Sequence, residues 1–124
     1  MQIESVLTNT SAAPVTTALR THPLLAWNGN AGEVTLRIFM RDGSVKSTSI
    51  DLEHDKIISN HAGKCELSGF GDKLEYTVES PQGGSLYFCK ITNRTFTVEF
   101  FGNSRNLTPG ESIRIVQKFT IRHP

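Results

Sequence analysis

The chain has 124 residues, of which 37% are hydrophobic and 20% are charged. This length fits one domain with its own buried core, and the composition is that of an ordinary globular protein. The net charge of +1 provides no strong attraction toward nucleic acid, so no nucleic-acid partner is expected. No apolar run approaches the roughly 20 residues that a membrane-spanning helix needs.

The N-terminal segment, residues 1–32, is polar at its start and contains Pro14 and Pro23. Because proline is tolerated at sheet edges and not in central strands, we expect an edge strand or an arm that completes another subunit's sheet. Residues 1–21 have neither a basic start nor a continuous apolar core, so no secretory signal is predicted. A cytoplasmic location is the expectation, while export by another route or a place in a viral particle stays open.

Alternation of apolar and polar residues dominates the rest of the chain. The first clear strand covers residues 33–40, and four apolar residues share one of its faces: Val34, Leu36, Ile38 and Met40. Asp42-Gly43 follows and predicts a two-residue hairpin turn of type I′, in which both residues have positive φ. Residues 45–52 then form the return strand, with Ile50 and Leu52 on its apolar face.

The same alternation predicts later strands at 64–67, 73–79, 85–91, 95–101 and 111–122. The strand at 85–91 has apolar side chains on both faces, which indicates a central position. Gln117 interrupts the apolar face of the last strand, and this indicates a bulge, a rim position or a buried amide with a partner.

These strands predict an all-β fold, an antiparallel β-sandwich of about seven to nine short strands, with barrel-like closure as a variant. Residues 1–124 are expected to form this single domain. At most one short helical turn is expected, near 12–20 or 55–59.

Metal binding and nucleophilic catalysis find little support in the residue spacing. A zinc site from His54, His61 and Cys65 matches no closed ligand pattern, and a calcium loop at Asp51, Glu53 and Asp55 lacks its glycine and its later glutamate. No cofactor, metal or catalytic residue is therefore assigned. An enzyme is the less favoured class, with a hydrolase as the distant alternative.

The two cysteines, Cys65 and Cys89, are expected to be free thiols, with Cys89 the more buried because it lies in an apolar strand. A disulfide between them stays geometrically open.

Adjacent phenylalanines at the end of the strand at 95–101 break its alternation. Phe96, Val98 and Phe100 share the expected core face, so Phe101 points the other way. Phe101 either packs beneath a loop, contributes to an interface or ligand site, or marks a bulge. Together with other outward aromatics and one polar loop it gives the candidate ligand or interface residues: Trp27, Asn28, Asn30, Phe39, Tyr87 and Phe101.

The resulting hypothesis is a non-catalytic binding or assembly module, which recognises a carbohydrate or a protein surface and forms a homo-oligomer. The alternative is a small all-β membrane-binding or pore-forming protein. In length and in its pattern of short strands, the chain resembles small β-sandwich lectins, membrane-recognising toxins and capsid or tail modules. Such a likeness of architecture does not fix a function.

Overall fold

A computed structural model of the chain describes residues 1–50, 56–79 and 84–123. Its strands, in chain order, are β1 (Gln2–Thr8), β2 (Val15–Thr17), β3 (Leu24–Ala26), β4 (Thr35–Met40), β5 (Val45–Ser49), β6 (Lys56–Ile58), β7 (His61–Gly69), β8 (Asp72–Glu79), β9 (Leu86–Lys90), β10 (Thr95–Phe100), β11 (Arg105–Leu107) and β12 (Ser112–Arg122). They form a six-stranded sheet in the order β1-β12-β8-β7-β4-β5, a four-stranded sheet in the order β3-β10-β9-β6, and the pair β11-β2. All named strand pairs are antiparallel.

The predicted antiparallel β-sandwich is confirmed, with more strands than expected. The additional strands are the three-residue elements β2, β3, β6 and β11, which are too short to show an alternating pattern in the sequence. The helical turn expected near residues 12–20 is wrong, because that region contains β2. Within the described ranges the helical element is a 3₁₀ turn at Ala31–Glu33, and no helix there has the length and apolarity to cross a membrane.

The buried face of β4 follows the alternation predicted for it. Val34, Leu36 and Ile38 have no exposed surface, and Met40 retains 8%. On β8 the same holds for Leu74, Tyr76 and Val78, which are all buried. Alternation identifies these faces because successive side chains of a strand point to opposite sides of its sheet.

Four stacked or edge-packed rings lie in the centre of the core. Tyr76 stacks on Phe119 with 4.5 Å between ring centroids, and its other contact is an edge-to-face pair with Phe100 at 5.2 Å. Phe100 in turn meets the ring of His61 at 4.9 Å. Such geometries add about 0.5–1.5 kcal/mol per aromatic pair to the burial of the rings themselves.

The turn between β4 and β5 differs from the predicted type I′ turn. Gly43 has φ +86°, whereas Asp42 does not have a positive φ. The N–H of Gly43 donates to the carbonyl of Met40, and Met40 N–H donates to the carbonyl of Ser44. These bonds define a three-residue loop ending in a left-handed glycine, and the Asp42 carboxylate stabilises it by accepting from Ser44 N–H at 2.8 Å.

A turn with two positive φ angles does occur, between β7 and β8. Phe70 has φ +53° and Gly71 has φ +84°, and the flanking Gly69 and Asp72 are paired. A bulky residue at positive φ is strained. The ring of Phe70 lies against Gly29, where an added Cβ would come within 2.4 Å of it, so this turn is tied to the loop that follows β3.

The two cysteines reverse the predicted order of burial. Cys65 is fully buried on the inner face of β7, whereas Cys89 is half-buried. In β9 the inward positions belong to Leu86 and Phe88, so Cys89 takes the outer face. Burial raises the pKa of the Cys65 thiol, which keeps it protonated and unreactive.

The six-stranded sheet is wider than the four-stranded sheet that covers it. Ile3 on β1 pairs with Gln117 on β12, and paired residues share a face, so Ile3 points inward. It is nevertheless 41% exposed, and Ile121, which shares the inward face of β12 with Phe119, is 69% exposed. The inner face near β1 therefore extends beyond β3, the edge of the covering sheet.

Replacing Gly43 with valine should lower the free energy of unfolding by about 1 kcal/mol or more, since a side chain resists positive φ. A Cβ at this position would meet no atom within 4 Å, so the cost would be conformational and not steric. Alanine should cost less than valine for the same reason. Urea denaturation of the three proteins measures this, and equal midpoints would contradict the turn geometry.

Replacing Phe100 with alanine should cost about 3–5 kcal/mol, because its ring is only 2% exposed. Phe101 is half-buried, with the Arg20 guanidinium 4.6 Å from its centroid, so its replacement should cost about 1–2 kcal/mol. Thermal and urea unfolding of both variants give the comparison. Losses of equal size would show that the two rings had been assigned to the wrong faces.

Candidate functional site

An open groove of about 630 Å³ lies where the six-stranded sheet extends beyond β3. Its floor is formed by inward residues of β8 and β12, and its wall by β3 and the residues on either side of it. The lining is mainly apolar, with polar side chains at intervals. Both the volume and this composition are typical of small-molecule sites.

Trp27 forms one wall of the groove, and its orientation is fixed. Its indole N–H donates to the carbonyl of Gly69 at 3.1 Å, and its ring lies 6.3 Å from that of Phe96. The backbone N–H of Trp27 donates to the carbonyl of Arg94. With its N–H used inside the protein, the indole contributes its apolar ring to the groove.

Gln117 supplies an oriented amide to the floor. The Tyr76 hydroxyl is 2.8 Å from Gln117 Oε1 and 2.9 Å from Thr21 Oγ1. Burial raises the pKa of Tyr76, so the phenol keeps its proton and donates it to Oε1. Since Oε1 is the amide's acceptor, the two N–H donors of Gln117 remain for a ligand in the groove.

His22 lines the groove at the end where a buried carboxylate lies. Its Nε2 is 2.9 Å from Glu99 Oε1, and Arg20 contacts the other oxygen of Glu99 at 2.5 Å. The Glu99 side chain is only 2% exposed, while those of His22 and Arg20 are 61% and 48% exposed. A buried carboxylate thus holds an accessible imidazole in one orientation, the arrangement that general acid–base catalysis also uses.

A second histidine pair stands at the rim. His123 Nδ1 is 2.6 Å from the Asp72 carboxylate, and both side chains are substantially exposed. Solvent screens a pair in this position, so its contribution to stability is small. It adds hydrogen-bonding groups to the rim, next to Lys73.

Two of the six residues predicted as ligand or interface candidates, Trp27 and Asn28, line this groove. Asn30 instead caps the 3₁₀ turn, where its side chain accepts from Gly32 N–H. Phe39 lies elsewhere on the six-stranded sheet, with Lys64 Nζ 4.8 Å from its ring centroid.

The last two candidates are Tyr87 and Phe101. Their rings pack edge to face beside the four-stranded sheet, with 6.1 Å between the ring centroids. Their geometry fits the packing alternative for Phe101, since the N-terminal segment places Arg20 over its ring. Whether any of the six residues binds a ligand stays a prediction.

Sequence reasoning missed three residues that orient the groove's polar groups: His22, Tyr76 and Glu99. Glu99 gave no signal, because an acidic residue between Val98 and Phe100 occupies the normal outward position of a strand with one buried face. Gln117 did give one, as the break in an apolar face, and the buried-amide alternative describes its bond to Tyr76.

Among the residues that the structure describes, no group of three or more His, Cys, Asp or Glu side chains is placed to hold a metal ion. His54 of the zinc combination, and Asp51, Glu53 and Asp55 of the calcium combination, lie outside the described residues. His61 and Cys65 share β7, with Cys65 fully buried.

No protein-family model matches the sequence, and no curated protein matches it. Solved structures match its fold. A galactose mutarotase-like protein from Clostridium acetobutylicum superposes with a TM-score of 0.73 at 9% identity, over 99% of this chain and 52% of the other. The Slr1438 protein from Synechocystis sp. PCC 6803 gives 0.75 at 14% identity, over 99% and 50%.

A proposed aldose 1-epimerase from Escherichia coli K12 gives a TM-score of 0.72 at 11% identity, over 99% of this chain and 56% of the other. The chain therefore spans about half the length of these solved structures. At such low identity the likeness concerns the backbone alone. The chain has the β-sandwich fold found in aldose epimerase-like proteins.

Proposed function

We propose that the protein binds a small carbohydrate in the groove beside β3. The observation that carries this proposal is the combination of apolar ring surface with polar groups that internal partners hold in place. Trp27 and Phe119 supply the rings, and the Gln117 amide supplies donors whose direction Tyr76 fixes. A sugar has both an apolar C–H face and a ring of hydroxyls, so it matches such a surface.

Pre-orientation favours binding because the ligand does not have to order these side chains. Immobilising a flexible side chain costs about 0.5–1.5 kcal/mol on binding. Here the indole, the amide and the His22 imidazole each have an internal hydrogen-bond or ion-pair partner. The fold is consistent with this function, since solved structures that share it include one named for galactose mutarotase.

A protein surface is the competing occupant of the groove, as a partner or as a second copy of the chain. Three large apolar side chains around the groove are more than half exposed: Met1 at 78%, Leu24 at 66% and Ile121 at 69%. Exposed apolar groups of this kind mark many protein interfaces. The sugar experiment below separates the alternatives, and sedimentation shows whether the chain self-associates.

Trp27 is the single tryptophan of the chain, so its fluorescence reports on the groove directly. Titration with monosaccharides, galactose and glucose among them, should change its emission in a saturable way. Gln117→Glu should weaken binding by about tenfold or more, because it keeps an oxygen acceptor for Tyr76 while losing both N–H donors.

Gln2→Glu makes the same change of charge on the exposed edge strand and should bind as the original protein does. Phe39→Ala removes a predicted aromatic candidate outside the groove and should also leave affinity unchanged. No response to any sugar, or equal weakening by Gln117→Glu and Gln2→Glu, would contradict carbohydrate binding in the groove.

Catalysis of sugar anomer exchange is a second candidate function, favoured by the pair of His22 and Glu99. Exchange of an aldose at C1 opens the ring, so it requires a proton to leave the C1 hydroxyl and another to reach the ring oxygen. The His22 imidazole, held through Nε2 by a buried carboxylate, could transfer such a proton. Positioned acid–base groups contribute about 10²–10⁴-fold to rates.

Exchange spectroscopy by NMR on a dissolved aldose tests this candidate. The protein should accelerate exchange between anomers, and His22→Gln should lower that acceleration by about a hundredfold while sugar affinity changes little. Phe39→Ala, which alters the six-stranded sheet outside the groove, is the control and should retain the activity. A protein that binds the sugar without accelerating exchange would leave binding as the function.

A further inference from the structure

A second cavity, of about 340 Å³, lies at the opposite side of the central ring stack from the groove. Its lining includes Arg41, His61, Gly63, Gly84 and Phe101. The stack from His61 through Phe100 and Tyr76 to Phe119 separates the two spaces, since His61 belongs to this cavity and Phe119 to the groove.

Irregular backbone on both sides of His61 places its ring in this cavity. Asn60 has φ +62° and Gly63 has φ +76°, and the pairing of β4 with β7 shifts its register where Met40 meets His61. Asn60 lies in the connection just before β7, and the register shift falls at the end of β4. Bulges of this kind often redirect a functional side chain. A Cβ at position 63 would come within 2.6 Å of the Val78 carbonyl, so the close approach requires glycine.

The His61 ring has a buried donor that lacks an acceptor. Nδ1 accepts from Gly63 N–H at 3.0 Å, so a neutral ring carries its proton on Nε2. Nε2 is buried and has no hydrogen-bond partner among the described residues. A buried donor without an acceptor is costly, which indicates that a partner is missing.

The charge state of this ring follows from its surroundings. Burial lowers the pKa of His61, and the positive charge of Arg41 lowers it further, against a smaller raising effect from the carbonyls of Ser85 and Gly84. The ring is therefore neutral near pH 7. These carbonyls lie near the ring without reaching hydrogen-bond geometry at Nε2, and Gly84 lines the cavity beside it.

Arg41 contributes a charge that the described part of the chain leaves unneutralised. Its Nε donates to the His61 carbonyl at 3.2 Å, which holds the guanidinium at the cavity while its terminal N–H groups stay available. The ion pairs among the described residues use other cations. Guanidinium is the side chain best suited to bind carboxylate and phosphate oxygens.

We propose that this cavity is a second binding site, for a small oxyanion group whose oxygens accept hydrogen bonds from Arg41 and from Nε2–H of His61. The group is a carboxylate or a phosphate, free or carried by a small metabolite. The site is independent of the carbohydrate groove, since the two share no lining residue.

Titrations with acetate and with inorganic phosphate, followed by ¹H–¹⁵N NMR, test the site and distinguish the two sources. At least one anion should shift the Gly63 and Gly84 amides and the His61 ring nitrogens saturably. Acetamide, which has the shape of acetate without its charge, should not. Shifts spread over the basic surface without saturation would overturn the proposal, as would no shift with either anion.

Variants locate the interaction. Arg41→Gln should weaken anion binding at least tenfold, and His61→Phe should do likewise while keeping a ring against Phe100. Arg94→Gln removes an exposed arginine outside the cavity and should bind as the original chain does.

If His61→Phe fails to fold, Arg41→Gln alone tests the proposal, because Arg41 lies at the surface. Unchanged anion affinity in Arg41→Gln would overturn the proposal. Trp27→Ala should retain the anion site, which separates its outcome from that of the carbohydrate proposal.

Discussion

The structure depends on one geometric mismatch, a six-stranded sheet covered by a four-stranded sheet. Alternation gives the wide sheet an apolar inner face that reaches Ile3 on its edge strand β1. The narrower sheet ends at β3, a strand of three residues. The uncovered apolar face is then open to solvent, and an open apolar surface in a folded domain is usually used for binding.

Buried groups turn this uncovered face into a defined site. The Tyr76 ring packs in the core, and its hydroxyl fixes the amide of Gln117, which lines the groove. Glu99 is buried on β10 and holds both Arg20 and His22 of the segment before β3. Charges buried in this way are costly unless they are paired. Pairing therefore fixes the N-terminal segment against the sheet as well as orienting the imidazole.

Packing along the ring stack couples the core to both cavities. The same four rings reach from His61 to Phe119, with centroid distances between 4.5 and 5.2 Å. Close-packed interiors transmit displacements because they contain few voids. Truncation of Phe100 would thus disturb a structural layer that borders two spaces, whereas truncation of Phe101 affects one rim.

Much of the fold could be predicted because it follows from local alternation. The buried faces of β4 and β8 and the core position of Phe100 all repeat a period of two along one strand. The break in that period at Gln117 left three alternatives open, and its bond to Tyr76 forms only between strands. Short strands escaped prediction, since three residues carry no period. The turn at Asp42-Gly43 was assigned the wrong type because the dipeptide is common to two loop lengths, and the bond between Met40 and Ser44 that distinguishes them forms only across the hairpin.

The sequence by itself determined an antiparallel β-sandwich and the inward face of its long strands, because those depend on neighbours two residues apart. Only the tertiary structure decided where the groove proposed as a site lies. Trp27 and Gln117, which line the same groove, are 90 positions apart in the sequence. Arg20 and His22 contact Glu99, which lies far along the chain from them. Cys65 is more buried than Cys89 because the two thiols lie on different faces of their sheets. Contacts between distant segments depend on sheet order and sheet width, which no local pattern of residues encodes.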